Sequence, residues 1–166
     1  MNIVIREARA RDQDALSALI DEVQALHVAH RPDVFAPIGG SQLAAWTLQL
    51  LESPESEIWV AEIEMQVRGY MGLVVRHKPR TPLTVERSWL ELDQIAVHSG
   101  FRGLGIARAL VSTALAQAKA KGIAGVELSS WAFNEAAHRT FAKLGFVPKA
   151  VRFEQADSQQ TPPEPK

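Results

Sequence analysis

The chain lacks cysteine and contains a single tyrosine among its 166 residues. Without cysteine there are no disulfides, no thiolate metal ligands and no nucleophilic thiol that could carry an acyl group. The absence also fits a reducing compartment, so we expect a cytoplasmic location. Tyr70 is the only tyrosine, so it is the only residue of the chain whose phenol can donate a proton.

Strong net charge and long apolar runs are also missing. The formal net charge is −1, so we expect no broad basic surface and no nucleic-acid partner. No apolar run approaches membrane-spanning length, and Met1–Glu7 does not have a signal-peptide layout, so no membrane association is expected. The 46% of apolar residues is an ordinary share. We expect one folded domain over residues 1–154, followed by a disordered polar tail over 155–166.

A strand, a glycine-punctuated turn and a long helix follow one another in the middle of the chain. The strand Trp89–His98 alternates apolar and polar residues at first and becomes apolar on both faces near its end, which is typical of a central strand. The helix begins near Ile106 and repeats apolar residues at helical spacing, so one of its faces is expected to be buried. In the turn, Gly103 and Gly105 lack side chains and Arg102 adds positive charge.

A glycine turn that leads into a helix N-terminus is typical of an anion site. The first helical turn leaves backbone N–H groups without partners, and the helix dipole adds partial positive charge. The turn is therefore predicted to cradle a pyrophosphate, the alternative being a turn that only reverses the chain. The run Gly103–Arg108 lacks the third small residue of the dinucleotide fingerprint and the Lys-Ser/Thr pair of the nucleotide P-loop, so neither of those sites is predicted.

The turn also carries a family pattern. Arg102, Gly105 and Ala107 form an Arg-x-x-Gly-x-Ala run, which follows a strand that ends in Ile-Ala-Val. This run resembles the acetyl-CoA signature of the GCN5-related N-acetyltransferase (GNAT) superfamily. The resemblance implies a three-layer α/β/α acyl-CoA N-acyltransferase fold with a central mixed, mostly antiparallel sheet. It also implies transfer of an acetyl group from acetyl-CoA directly to a primary amine of a small molecule, or to a protein N-terminus or lysine.

A second block, further along the chain, is similar to the later pattern of the same superfamily. Asn134 and Ala137 match its Asn-x-x-Ala element, and Gly145-Phe146 matches its closing Gly-Phe. In the family a tyrosine that protonates the departing thiolate precedes that Gly-Phe, whereas this chain has Phe141, which cannot donate a proton. The resemblance implies a cofactor site built from Ile95, Ala96, Val97, Arg102, Gly103, Leu104, Gly105, Ile106, Ala107, Asn134 and Phe141.

Two carboxylates on the central strand are the candidates for the general base. Glu91 lies eleven residues before Arg102, an offset at which some superfamily members carry their base glutamate, and it is the first choice. Asp93 is the second choice, since it shares the parity of Glu91 and points to the same face unless a bulge intervenes. The alternative is that both carboxylates are solvated or paired with Arg76 or Arg87.

The acceptor pocket is predicted around the end of the first helix and two loops. His27 and His30 lie beside the loop that covers this pocket in the fold, and either could act as a base near neutral pH. Phe35, Trp131 and Phe133 could line an apolar acceptor pocket. No third ligand accompanies the two histidines, so no metal site is predicted. A homodimer is a further expectation from the resemblance, and a non-catalytic acyl-CoA-binding module is the alternative function.

The remaining pattern predicts the other elements. The expected order is β-α-α-β-β-β-α-β-α-β, with helices that begin at Asp12 or Asp14, at Ser41 and at Asn134. Besides the central strand, the predicted strands are Asn2–Glu7, Glu57–Glu64, Val67–His77, Gly125–Trp131 and Phe146–Glu154.

Overall fold

A five-stranded sheet lies between two layers of helices in the computed structural model, which describes residues 2–155. The elements are β1 (Val4–Glu7), α1 (Gln13–His30), α2 (Gly40–Glu52), β2 (Ser56–Ile63), β3 (Gln66–Lys78), β4 (Arg87–Val97), α3 (Ile106–Ala120), β5 (Val126–Leu128) and α4 (Glu135–Lys143). The strands are neighbours in chain order, and every pair is antiparallel except β4 with β5, which is parallel. The predicted mixed, mostly antiparallel sheet is confirmed.

Two hydrophobic clusters hold the layers together, one on each face of the sheet. On one face, Met71, Leu73 and Leu92 pack with Leu110 and Ala114 of α3. The other cluster joins α1 and α2 to the sheet, and it contains Leu16, Leu19, Leu43, Val60, Tyr70 and Ala96. Since side chains alternate across a strand, each central strand supplies residues to both clusters, and this explains the apolar runs in the sequence.

The starts of α1 and α2 differ from the predicted caps. The carboxylate of Asp12 does not cap α1. It accepts the N–H of Arg9 at 2.8 Å and pairs with the guanidinium of Arg6 at 2.8 Å, and the hydrogen bond from Arg6 helps to lower the pKa of Asp12. The prediction that Ser41 caps α2 is wrong, because α2 begins at Gly40 and the residue before it, Gly39, makes no side-chain cap.

The strand predicted over Phe146–Glu154 is also wrong. The segment has no strand pairing, and Pro148 within it has no N–H to give to a sheet ladder. Side chains tie the segment to the rest of the fold instead, with Lys149 bound to Glu127 and Glu154 bound to Arg31. The strand predicted over Gly125–Trp131 exists but covers only Val126–Leu128. Residues 156–166 of the predicted disordered tail lie outside the described residues.

A bulge in β4 and a short β5 together leave an open strand edge. Gly72 pairs with Gln94 and Leu73 pairs with Leu92, so Asp93 is an extra residue in the ladder. Strand β5 pairs with β4 only over Leu90–Leu92. Within the part of the chain that the structure describes, β4 beyond this point has β3 on one side and no strand on the other.

Candidate active site

The open edge of β4 presents backbone donors. Before the bulge, the N–H of Leu90 points toward β5 and donates to Gly125 O at 3.0 Å. After the bulge, the N–H of His98 points toward β3 and donates to Arg68 O at 2.9 Å. Because N–H directions alternate along a strand, the N–H groups of Ile95 and Val97 face the open edge. The bulge thus turns two further donors toward a side on which no strand of residues 2–155 binds them.

The predicted anion turn lies just beyond this edge. Gly103 and Gly105 have φ values of 77° and 88°, a region that side chains other than glycine rarely adopt. A Cβ built on either glycine has no heavy atom within 4 Å, so the turn is open to approach. The first helical bond of α3 runs from Ala109 N to Gly105 O at 3.0 Å. The N–H groups of 106–108 consequently have no acceptor within the helix.

Arg102 connects this turn to α1 and to β4. Its Nη2 donates to Glu22 Oε1 at 2.7 Å, and its Nε donates to the carbonyl oxygen of Val97 at 3.2 Å. The N–H of Ser99 donates to the other oxygen of Glu22 at 3.3 Å. One carboxylate of α1 therefore lies at the positively charged end of the cradle.

The remaining predicted cofactor residues of the strand and turn differ in how far their side chains are exposed to solvent. Ile106 is 1% exposed and packs in the core on the α3 face, so its backbone is the part that can meet a ligand. Ala96 is also buried, on the α1 face. Leu104 is 47% exposed at the tip of the turn, and Ala107 is half-buried in the first turn of α3.

Arg76 of β3 and Trp89 of β4 lie directly opposite each other in the sheet. Each candidate base contacts one member of this pair. The indole Nε1 of Trp89 donates to Glu91 Oε2 at 2.7 Å. Asp93 lies 3.5 Å from a guanidinium nitrogen of Arg76, and both side chains of that pair are nearly half exposed. The bulge at Asp93 has thus not sent the two carboxylates to opposite faces, and the predicted pairing with Arg76 holds for Asp93 but not for Glu91.

The five predicted acceptor residues form one aromatic cluster. His27 stacks on Phe35 with ring centroids 4.7 Å apart, and His30 stacks on Phe133 at 4.5 Å. Trp131 completes the cluster through an edge contact with Phe35 at 5.2 Å. The end of α1 and the loop that follows it are in this way joined to the loop between β5 and α4.

The two histidines of the cluster differ in their hydrogen bonding. His30 Nδ1 lies 2.9 Å from Leu26 O, so that nitrogen carries the proton and donates. Burial, with a smaller contribution from the charge of His30, lowers the pKa of His27. His27 is therefore neutral near pH 7 and has the chemistry of a weak base in a partly apolar site.

Asn134 and Phe141 have structural contacts that account for their positions. The side-chain oxygen of Asn134 accepts the N–H of Ala137 at 3.2 Å and caps α4. The ring of Phe141 meets the ring of Phe146 edge-on, with centroids 5.9 Å apart. Neither contact supplies a proton donor at position 141.

No group of three or more His, Cys, Asp or Glu side chains that could hold a metal occurs among residues 2–155. The linings of two cavities include neither β4 beyond the bulge nor the anion turn. One, of about 450 Å³, is next to the β2–β3 turn and is lined by Arg6 and Arg68 among others, and one of about 440 Å³ lies beside Arg76. We place the candidate site at the open edge and not in these cavities, since the donors converge at that edge. No helix of the described part is long and apolar enough to cross a membrane.

Three residues of the site were missed by sequence reasoning. Trp89 lies two residues before Glu91, so both side chains project from the same face of the strand. This spacing could have indicated the hydrogen bond between them. Arg31 lies over the ring of Trp131 at 5.1 Å and pairs with Asp33 and with Glu154. Nothing in the sequence marked Glu22 as a site residue, because glutamate is common on the polar face of a helix.

Comparison with known proteins gives consistent results. A sequence model of the acetyltransferase (GNAT) family matches residues 16–146. N-acetyltransferase 8B of Rattus norvegicus is 34% identical over 106 residues, which are 64% of this chain and 46% of that protein. The chain spans less than half the length of the curated relatives that it matches.

Two solved structures share the fold. A tetramutant of the BH1408 protein from Bacillus halodurans has a TM-score of 0.86 at 24% identity and covers 92% of this chain and 99% of that chain. The aminoglycoside N-acetyltransferase AAC(6')-Iy in complex with CoA has a TM-score of 0.70 at 18% identity and covers 93% of this chain and 95% of that chain. At these identities the likeness shows the fold.

Proposed function

The chain belongs to the acetyltransferase (GNAT) family, and we propose that it is an N-acetyltransferase, which moves the acetyl group of acetyl-CoA directly to a primary amine. Direct transfer fits a chain without cysteine, since no thiol is available to carry the acetyl group. The alternative is an acyl-CoA-binding module without catalysis. The reason to consider it is that position 141 holds phenylalanine and not the tyrosine that would donate a proton.

The observation that carries the proposal is the junction of two sets of free backbone donors. The open edge of β4 offers the N–H groups of Ile95 and Val97, and the first turn of α3 offers those of 106–108. An extended amide-containing arm can add to a strand edge, and a pyrophosphate can bind a helix N-terminus. Acetyl-CoA has both parts and supplies the activated acetyl group. A donor at the β4 edge would polarise the carbonyl of that group.

Among the candidate bases, the contacts favour Glu91. Asp93 is already 3.5 Å from the cation of Arg76, so its carboxylate has a partner within the protein. Glu91 is half-buried and has a neutral donor on one oxygen, so its second oxygen is available to an amine or to a relaying water. His27 and His30, in the last turn of α1, remain as alternatives.

The acceptor is proposed to be an amine on a small molecule or a peptide that lies against the aromatic cluster. The rings of Phe35, Trp131 and Phe133 offer apolar contacts, and a neutral His27 adds no charge to repel an amine. Phe141 cannot protonate the departing thiolate. A thiol has a pKa of about 8–9, so the thiolate can leave without a donor near pH 8.

Two further expectations accompany this function. A homodimer is proposed on the resemblance to the superfamily. A cytoplasmic location is proposed on the absence of cysteine. Light scattering that gives a monomer mass at working concentration would contradict the first.

The function is tested by incubating the purified chain with acetyl-CoA and a panel of primary amines. Release of free CoA thiol, matched by the mass of an acetylated amine, is the expected result. The non-catalytic module would be supported if the chain binds CoA but releases no CoA thiol with any amine, and if thiol release is seen only in Phe141→Tyr. A chain that does not bind CoA would contradict both.

A further inference from the structure

The carboxylate of Glu91 is held by a side chain that no part of the family pattern includes. Trp89 lies two residues before Glu91 on β4, so both side chains project from the same face of the strand. The indole nitrogen is 2.7 Å from Glu91 Oε2, which is the length of a strong charge-assisted hydrogen bond. One of the two carboxylate oxygens is thereby fixed, and the other is left for a second partner.

The indole itself is supported from β5. The guanidinium of Arg87 lies 4.2 Å from the centre of the Trp89 ring. Arg87 also forms an ion pair with Glu127 of β5, and Lys149 binds the same carboxylate. Burial opposes ionisation of Glu127, but the hydrogen bonds from Lys149 and Arg87 outweigh it and lower the pKa of Glu127. Glu127 is therefore charged near pH 7 and anchors Arg87 against the ring.

A neutral donor suits a general base better than a cation does. A cation in contact with a carboxylate stabilises its charged form and so weakens it as a base. For Glu91, no Lys or Arg within ion-pair distance occurs among the described residues. The indole N–H fixes the orientation of the carboxylate without adding a positive charge.

We propose that Trp89 is a positioning residue for acetyl transfer, which orients Glu91 so that Oε1 faces the acceptor amine. The role rests on the proposed function. The ammonium loses one N–H bond, Glu91 Oε1 gains the proton either directly or through a water, and the proton then passes to solvent. Trp89 keeps its own proton throughout and contacts neither substrate.

The first test is Trp89→Phe, which keeps an aromatic ring beneath Arg87 and removes only the N–H. Loss of one hydrogen bond to a charged group predicts a kcat about tenfold lower, with the KM for acetyl-CoA unchanged. Trp46→Phe is the control, because Trp46 lies on α2 and is 38% exposed. A wild-type kcat in Trp89→Phe, or a loss that falls on the KM for acetyl-CoA instead of on kcat, would overturn the role.

The second test is a double-mutant cycle with Glu91→Gln. If Trp89 acts through Glu91, adding Trp89→Phe to Glu91→Gln causes no further loss of kcat. A further tenfold loss in the double variant would show that Trp89 acts by another route and would overturn the proposal. An inactive Glu91→Gln together with a fully active Trp89→Phe would overturn the positioning role and leave the proposed function intact.

A third measurement does not depend on activity. The side-chain carboxylate signal of Glu91, followed by ¹³C NMR at fixed pH, should change in Trp89→Phe and stay unchanged in Trp46→Phe. An unchanged signal in Trp89→Phe would overturn the contact. A changed signal in a protein that transfers no acetyl group would instead contradict the proposed function, and the positioning role with it.

Discussion

Glu22 of α1 and Arg102 of the turn before α3 form an ion pair of 2.7 Å, although they lie 80 residues apart in the chain. The same guanidinium donates to the carbonyl oxygen of Val97 on the open edge of β4. Arg102 therefore joins α1 to the strand edge beside the turn. Helix α1 thus contributes a negative charge to the place where a pyrophosphate is proposed to bind.

We predict that Glu22→Gln binds CoA more tightly than the wild type. The carboxylate repels phosphates and competes for Arg102, but the pair is partly exposed, so the gain is limited to about two- to fivefold. Titration calorimetry at low and high salt measures the affinity. Glu57→Gln, which removes the exposed partner of Lys121 elsewhere on the molecule, is the control. Weaker CoA binding by Glu22→Gln would contradict the prediction and would mean that the carboxylate holds Arg102 in position for the phosphates.

We predict that Gly105→Val weakens CoA binding by more than tenfold, about 1.4 kcal/mol or more. Gly105 has a φ of 88°, which a β-branched residue strongly disfavours, so the substitution distorts the turn and misplaces the first N–H groups of α3. Gly122→Val is a matched control, since Gly122 has a φ of 67° just after the other end of the same helix. Equal loss of CoA affinity in the two variants would contradict the assignment of the turn.

Replacement of the proposed base tests the proton path. Glu91→Gln keeps the shape of the side chain and removes its charge, so it cannot take a proton from an ammonium whose ordinary pKa is about 10. We expect kcat/KM to fall by roughly 10²-fold or more and CoA affinity to stay nearly constant. Steady-state kinetics across pH measure this. An unchanged pH–rate profile would move the base to Asp93, His27 or His30.

Acid should weaken the fold through His27. Burial, followed by the charge of His30, lowers the pKa of His27 below its ordinary value of 6.5, so between the two values the unfolded chain binds more protons than the folded one. Stability therefore rises with pH through this window and is lost as pH falls below about 6.5. Thermal unfolding of His27→Gln should depend less on pH between 5 and 7 than that of the wild type. His138→Gln, at an exposed histidine of α4, should behave as the wild type. Equal pH dependence in all three would contradict the prediction.

The elements that the sequence predicted correctly are those with strong periodicity or a glycine at a special conformation. β4, the turn and α3 agree with expectation because alternating and helical patterns specify their faces, and because Gly103 and Gly105 do adopt left-handed conformations. The cap at Asn134 was also readable, since asparagine accepts the N–H three residues on.

The parts that the sequence did not predict depend on contacts between distant residues. Asp12 resembles a helix cap, but Arg6 and the backbone of Arg9 take its oxygens. Phe146–Glu154 has the composition of a strand, yet side-chain ties to Glu127 and Arg31 hold it without a ladder. Within the site, the aromatic cluster could be anticipated as a set, whereas its stacking order and the Glu22–Arg102 pair required the fold.

The most direct test of the account is amide NMR of the labelled chain titrated with CoA. We predict that the largest shift changes fall on Ile95 and Val97 of the open edge and on the turn over 102–107. The cavity of about 450 Å³ near Arg6 and Arg68 should show none. Changes confined to that cavity, with the β4 edge and the turn unaffected, would contradict the proposal that this junction holds the acetyl donor.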